Sequence, residues 1–195
     1  TILKSWLALF QPRTLPGPEE FKEKRAEDIK NNNDALNLLF AVVLEARGEG
    51  LDGMFAVARS IYNRRKLIRD KEVLPSTFMP NSKNDKPTFT DIITHKGQYA
   101  VYDSETGKYK KQRSPITEAD LDKGLKAMKI ALNDGAAQRY VQKRGLDPRT
   151  LDAVNFRRVD AKHDASQQKE KFVIGQHEFN LSGSPAAEKY QTLKK

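Results

Sequence analysis

At 195 residues the chain has the length of one domain with peripheral segments, and its 37% hydrophobic content includes no apolar run of the roughly 18–20 residues that a bilayer crossing needs. It contains no cysteine, which excludes disulfides, thiolate nucleophiles and Cys-ligated metals. A net charge of +9 favours polyanionic partners, whether nucleic acid, acidic membranes, or a matrix of carboxylates and phosphates.

Residues 1–33 read as an N-terminal arm. TILKSWLALF lacks a small-residue cleavage site before Gln11-Pro12-Arg13, so it is taken as a packing segment and not a secretion signal. The stretch that follows, to Asn33, is rich in Pro, Glu, Lys and Asn and offers little apolar surface. From Asp34 the pattern changes. Leu36, Leu39, Phe40, Val43 and Leu44 return at helical spacing and predict a core helix to about Arg47. Gly48 and Gly50 end it, and Asp52 is the expected cap of a second helix carrying Met54, Val57, Ala58, Ile61 and Tyr62.

Three prolines between Leu74 and Pro87 predict a loop. Thr90 is the expected cap of a short helix through Ile92 and Ile93, closing at Gly97. Gln98 to Tyr102 reads as a strand that turns at Glu105-Thr106-Gly107. Thr117-Glu118-Ala119-Asp120 resembles a capping box with Asp in place of the usual Glu or Gln, and the stripe Leu121, Leu125, Met128 and Leu132 predicts a helix up to Gly135. Another helix is expected around Ala137–Lys143, followed by two late strands at Ala153–Val159 and Lys171–Asn180. The tail, 182–195, is polar and aperiodic, and is expected to bury little. The fold class is therefore α+β, mainly helical, with a small antiparallel sheet, and the main domain spans 34–181.

Chemistry concentrates at Glu45, at the end of an apolar helix beside a glycine-containing break. Partial burial there would raise its carboxyl pKa and suit it to donate a proton to a poor leaving group. The structural alternative is an ion pair with Arg47 or Arg64, since such pairs also perturb carboxylates. Glu49 lies four residues on and would share a helical face with Glu45; a structural role is favoured for it. Asp103 is a candidate second carboxylate, with a surface turn as the plainer reading. Gln98 offers an amide, and Tyr99 and Tyr102 offer ring faces, although tyrosines in such segments are as often core or strand filler. His95, His163 and His177 lack close ligand spacing, so neither a metal nor a cofactor is assigned.

The block Leu44-Glu45-Ala46-Arg47-Gly48-Glu49-Gly50, with Gly53, Ala56-Val57-Ala58 and Ile61-Tyr62-Asn63-Arg64, resembles the signature helix pair of cell-wall hydrolases of the spore-cortex-lytic (SleB) type. Downstream, Asp91-Ile92-Ile93, Gly97-Gln98-Tyr99, the helix Leu121 to Gly135, Asn155-Phe156 and Gly175-Gln176-His177-Glu178-Phe179 follow the order of that family, so the resemblance spans about Asp34 to Asn180. It implies a lysozyme-like core, peptidoglycan glycan strands as substrate, and Glu45 as the acid. Gln98, Tyr99 and Tyr102 would then line a glycan groove beside Glu45, and the resemblance puts Asn155 and Phe156 on its opposite wall. The implied reaction is that of a lytic transglycosylase or muramidase acting at the bacterial wall, in the periplasm or outside the cell. The sequence departs from the family pattern at Leu44, where a Gly often stands, at Asn155, which replaces a common His or Tyr, and in the basic stretch Thr106 to Arg113.

Two other readings stand beside this one. Arg64-Arg65-Lys66, Lys108, Lys110-Lys111 and Arg157-Arg158 would suit a nucleic-acid-binding protein, but no recognised nucleic-acid motif accompanies them, and nucleic acid is the less favoured partner. The third reading is a structural component of a phage particle or secretion assembly that keeps a lysozyme-like fold.

Overall fold

The computed structural model describes residues 34–95, 99, 102–103, 105, 108–109, 114–158, 171–187 and 190. The arm 1–33, Gln98 and His163 lie outside the described residues, as do the side chain of Asp103 and most of the tail beyond 187. The described chain is mainly helical with a small antiparallel sheet, an α+β arrangement.

Helix α1, Asp34–Ala46, is buried almost all round: Leu38 to Leu44 and Ala46 are each at most 6% exposed. A helix apolar on every side has to lie at the centre of its domain. A single 3-10 turn, Arg47–Glu49, joins it to α2, Gly50–Arg69. Gly50 takes φ +68°, a backbone conformation that costs a residue with a Cβ about 1–2 kcal/mol. Asp52 falls in the first turn of α2 and does not cap it, and its carboxylate instead accepts hydrogen bonds from Tyr140 Oη (2.6 Å) and from Arg144 Nη2 (2.8 Å).

Helix α3, Phe89–Thr94, begins one residue before the expected cap. Thr88, not Thr90, closes a capping box with Asp91, and the N–H of Thr90 donates to Asp34 Oδ1 at 2.7 Å. Asp34 thus satisfies an orphan donor of a neighbouring helix, a contact that local periodicity cannot encode. A short hairpin of β1, Tyr102–Asp103, and β2, Lys108–Tyr109, pairs Tyr102 with Tyr109; of the expected strand Gln98–Tyr102 only Tyr102 falls in β1, and Gln98, Ala100, Val101 and the turn residues Thr106 and Gly107 lie outside the described residues.

The Thr117–Asp120 capping box starts α4, Glu118–Ala131. This helix stops at Leu132, short of Gly135, because the Asn133 side chain accepts from the N–H of Ala136 and starts α5, Asp134–Arg144. Gly124 lets α4 approach α1 closely: a Cβ there would lie 2.6 Å from Val43 Cγ2 and 2.7 Å from Leu39 Cδ1.

Among the described residues three strands follow, not two. They are β3, Asn155–Arg158, β4, Phe172–Ile174, and β5, His177–Asn180, in the antiparallel order β3-β5-β4. The segment read as one strand, Lys171–Asn180, folds back at Gly175-Gln176. Ile174 pairs with His177 across a two-residue loop in which Gly175 has φ +60°. Glycine at the first loop position is what a type II′ hairpin requires. The segment leading into β3 docks on α2 through polar side chains: Asn63 Nδ2 donates to Leu151 O (2.9 Å) and Ala153 O (2.8 Å), and Arg64 Nε donates to Val154 O. The tail contributes more than its composition suggests, since Ser184 is 8% exposed and Tyr190 Oη donates to Asp152 at 2.9 Å. Burial, and then the Asp152 carboxylate, push the Tyr190 phenol up to about 12.

Candidate functional site

Glu45 sits one residue from the C-terminal end of α1, partly exposed between the buried Leu44 and Ala46. The end of this helix is held by Arg47, whose guanidinium donates to Ser114 Oγ (2.7 Å) and Pro115 O (3.0 Å). Tyr99 lies close enough for the Glu45 charge to act on its phenol. The pKa of that phenol is raised, first by burial; the Arg64 cation opposes the shift and Glu45 reinforces it. Glu45, Tyr99 and Arg64 therefore share one electrostatic neighbourhood where the helical core meets the sheet.

The residues expected to line a groove beside Glu45 pack largely against one another. Tyr99 is 4% exposed; its ring lies 5.7 Å from the Phe156 ring and 5.6 Å from the Arg64 guanidinium carbon. Its faces are thus occupied by protein, and its contact with Phe156 means that the two rings do not face each other across a groove. Asn155 is also engaged internally. Its Oδ1 accepts from Arg64 Nη2 (2.7 Å), and its Nδ2 donates to Asn180 Oδ1 (3.0 Å) and Ser182 O (2.7 Å). Phe156 is partly exposed and packs on Tyr99, His177 and Phe179, with ring centroids 5.4–5.8 Å away. Tyr102 is partly exposed at the start of the β1–β2 hairpin, and Asp103 pairs with Lys108 in the same hairpin. The structure thus brings Tyr99, Asn155 and Phe156 together around Arg64, and Tyr102 follows Tyr99 by a backbone hydrogen bond from its N–H to Tyr99 O (3.3 Å).

Glu49 occupies a different environment. Its side chain is 7% exposed and its carboxylate meets Nδ1 of His177, itself 3% exposed. Two glycines make room for it. A Cβ at Gly53 would lie 2.5 Å from Glu49 Cβ, and one at Gly175 would lie 2.7 Å from Oε2. Glu49 therefore pins the β4–β5 hairpin to the start of α2. Sequence reading treated His177 as a lone histidine; its partner is 128 positions away, and only the Gly-x-His-x-Phe pattern marked the position.

Most described members of the basic clusters are engaged within the protein. Arg64 is buried as above, Arg65 stacks over Phe89 (4.4 Å) and donates to Pro87 O (3.2 Å), and Lys66 pairs with Asp70 (2.9 Å). Arg157 and Lys171 both reach Glu178, at 2.8 and 3.2 Å. Burial opposes ionisation of Glu178, but hydrogen bonds from these two cations prevail and hold its carboxyl below the usual range. Among the described residues, no three His, Asp or Glu side chains gather as a metal site, and no helix is long and apolar enough to cross a membrane. No protein-family model, curated protein or solved structure matches the chain.

Proposed function

We propose that the protein cleaves the MurNAc-β-1,4-GlcNAc bond of peptidoglycan, with Glu45 as the acid and base of a lytic transglycosylase. The observation that carries this reading is the unequal placement of the two motif carboxylates. The Glu49 side chain is 7% exposed, meets His177 and is wedged between two glycines, whereas Glu45 is partly exposed at the end of a buried helix, near enough to Tyr99 for its charge to act on the phenol. A lysozyme-like arrangement of the core belongs to the same proposal, as does action at the bacterial wall, either as a free enzyme or carried by a phage or secretion assembly.

In this scheme the protonated Glu45 gives its proton to the glycosidic oxygen as the C1–O bond breaks and positive charge builds at the MurNAc anomeric centre. The resulting carboxylate takes the proton of the MurNAc C6 hydroxyl, whose oxygen bonds to C1. The ring closes as an anhydro sugar and the acid is restored, so one carboxyl group suffices. Internal use of Arg64, Arg65 and Arg157 favours this reading over nucleic-acid binding, which draws on exposed cations aligned along a backbone.

Purified wall sacculi incubated with the native chain should release soluble muropeptides that mass spectrometry identifies as anhydro products. Glu45→Gln keeps the shape but removes the proton, and should lower the rate by about 10²–10⁴-fold. Lysis by that variant at the native rate refutes the assignment, and reducing-end products would replace the transglycosylase with a muramidase.

A further inference from the structure

A hollow of about 640 Å³ opens where the start of α2 meets α4 and α5, a size within the range of small-ligand sites. Leu51, Ile130 and the ring of Tyr140 give it an apolar lining, and Lys126, Lys143 and Arg144 stand around it. The charges are not balanced locally. Asp52 is taken up by Tyr140 and by two nitrogens of Arg144, and Glu49 is taken up by His177. Lys126 and Lys143 have no carboxylate partner among the described residues. Arg144 bonds Asp52 through Nε and Nη2, so one edge of its guanidinium is anchored while the side chain stays 54% exposed. Its remaining N–H donors are pre-oriented by that anchor.

We propose that this hollow binds a short carboxylate-bearing peptide, and, on the reading that the chain acts on peptidoglycan, that the peptide is the acidic stem attached to the glycan strand. The lining suits small aliphatic side chains. A sugar ring would need unengaged hydrogen-bonding groups, and the Tyr140 hydroxyl is already committed to Asp52. Two flexible ammonium groups beside one fixed guanidinium match carboxylates placed a few bonds apart on a peptide, because lysine supplies a point charge that tolerates varied approach whereas arginine fixes direction. The hollow is lined by residues 49–52, from the last residue of the turn that follows Glu45 onward, so peptide binding here would add affinity for wall strands without touching the acid.

Isothermal titration with the synthetic peptide Ala-Glu-Ala-Ala, free at its C-terminus, tests the site in the native chain, in Glu45→Gln, and in a Lys126→Gln/Lys143→Gln variant. The native chain and Glu45→Gln should bind equally, the double variant about tenfold more weakly, and the fully amidated peptide not measurably. Circular dichroism of the double variant should match the native spectrum, since both lysines are exposed. Equal binding by the double variant, equal binding of the acid and the amide, no binding at all, or tighter binding of glycerol phosphate each overturns the proposal. Failure of the two ideas is distinguishable. If the peptide does not bind while Glu45→Gln loses wall digestion, the hollow alone falls; if the peptide binds while Glu45→Gln digests normally, the glycosidase reading falls.

Discussion

Replacing Gly175 by alanine tests the contact that joins the sheet to the motif turn. Two costs combine. The φ of +60° disfavours any Cβ by about 1–2 kcal/mol. The added methyl would also stand 2.7 Å from Glu49 Oε2 and 3.1 Å from Glu49 Cβ. Glu49 cannot easily withdraw, because Gly53 confines it on another side and His177 holds its other oxygen, so overpacking adds about 1–3 kcal/mol. The sum, about 3 kcal/mol, corresponds to a fall in Tm of about 6–12 °C for a domain of this size. Gly145→Ala is the internal control. Gly145 has φ +63° with nothing within 4 Å of its Cβ position, so the variant should lose only the backbone cost of about 1–2 kcal/mol. In a Glu49→Ala background the effect of Gly175→Ala should shrink towards that control. Urea unfolding of the four variants, analysed as a double-mutant cycle, measures the difference. If Gly175→Ala and Gly145→Ala agree within about 0.5 kcal/mol, Glu49 does not occupy the space assigned to it.

Three further outcomes are expected, beside the loss of activity in Glu45→Gln. Gly124→Ala gains about 1 kcal/mol of helix propensity but forces a methyl against Val43 and Leu39, so thermal melts should show a net loss of about 1 kcal/mol; a rise in Tm would contradict the close approach of α1 and α4. The Asp52 carboxyl is held below its ordinary value, chiefly by hydrogen bonding from Arg144, with burial opposing. A depressed carboxylate contributes stability that is complete above its unfolded pKa of about 3.9 and is lost as pH falls through the lower folded value. Asp52→Asn should therefore cost about 1 kcal/mol at pH 7, a modest figure because Arg144 is largely exposed, and the gap in urea midpoints should narrow towards pH 2; a gap independent of pH would remove the charge from the account. Arg64→Lys replaces a planar fork bonded to Val154 O and Asn155 Oδ1 with a single ammonium, and should cost about 2–3 kcal/mol in urea unfolding, whereas unchanged stability would mean that the sheet docks by other means.

The periodic helices were legible because each carries its own signal. The apolar residues of α1 and the Thr117–Asp120 box belong to short stretches whose spacing and caps act locally. Errors arose where a distant partner decided the outcome. Asp52 resembles a cap by position, yet Tyr140 and Arg144, about ninety residues on, claim its carboxylate. Thr90 looked like a cap, but its N–H donates to Asp34 while Thr88 closes the box. The late strand was read as continuous because alternation of Phe172, Ile174 and Phe179 survives a two-residue hairpin that reverses the chain.

By itself, the amino-acid sequence determined the helical skeleton, the absence of thiol chemistry, and the placing of Glu45 at the end of a core helix, since these depend on composition and short-range periodicity. Only the tertiary structure decided how the two motif carboxylates divide. Both stand in one seven-residue block, and what separates them is a histidine and a glycine from the last hairpin closing over Glu49. Burial and pairing between residues more than a hundred positions apart are properties of the packed chain, so local spacing carries no record of them.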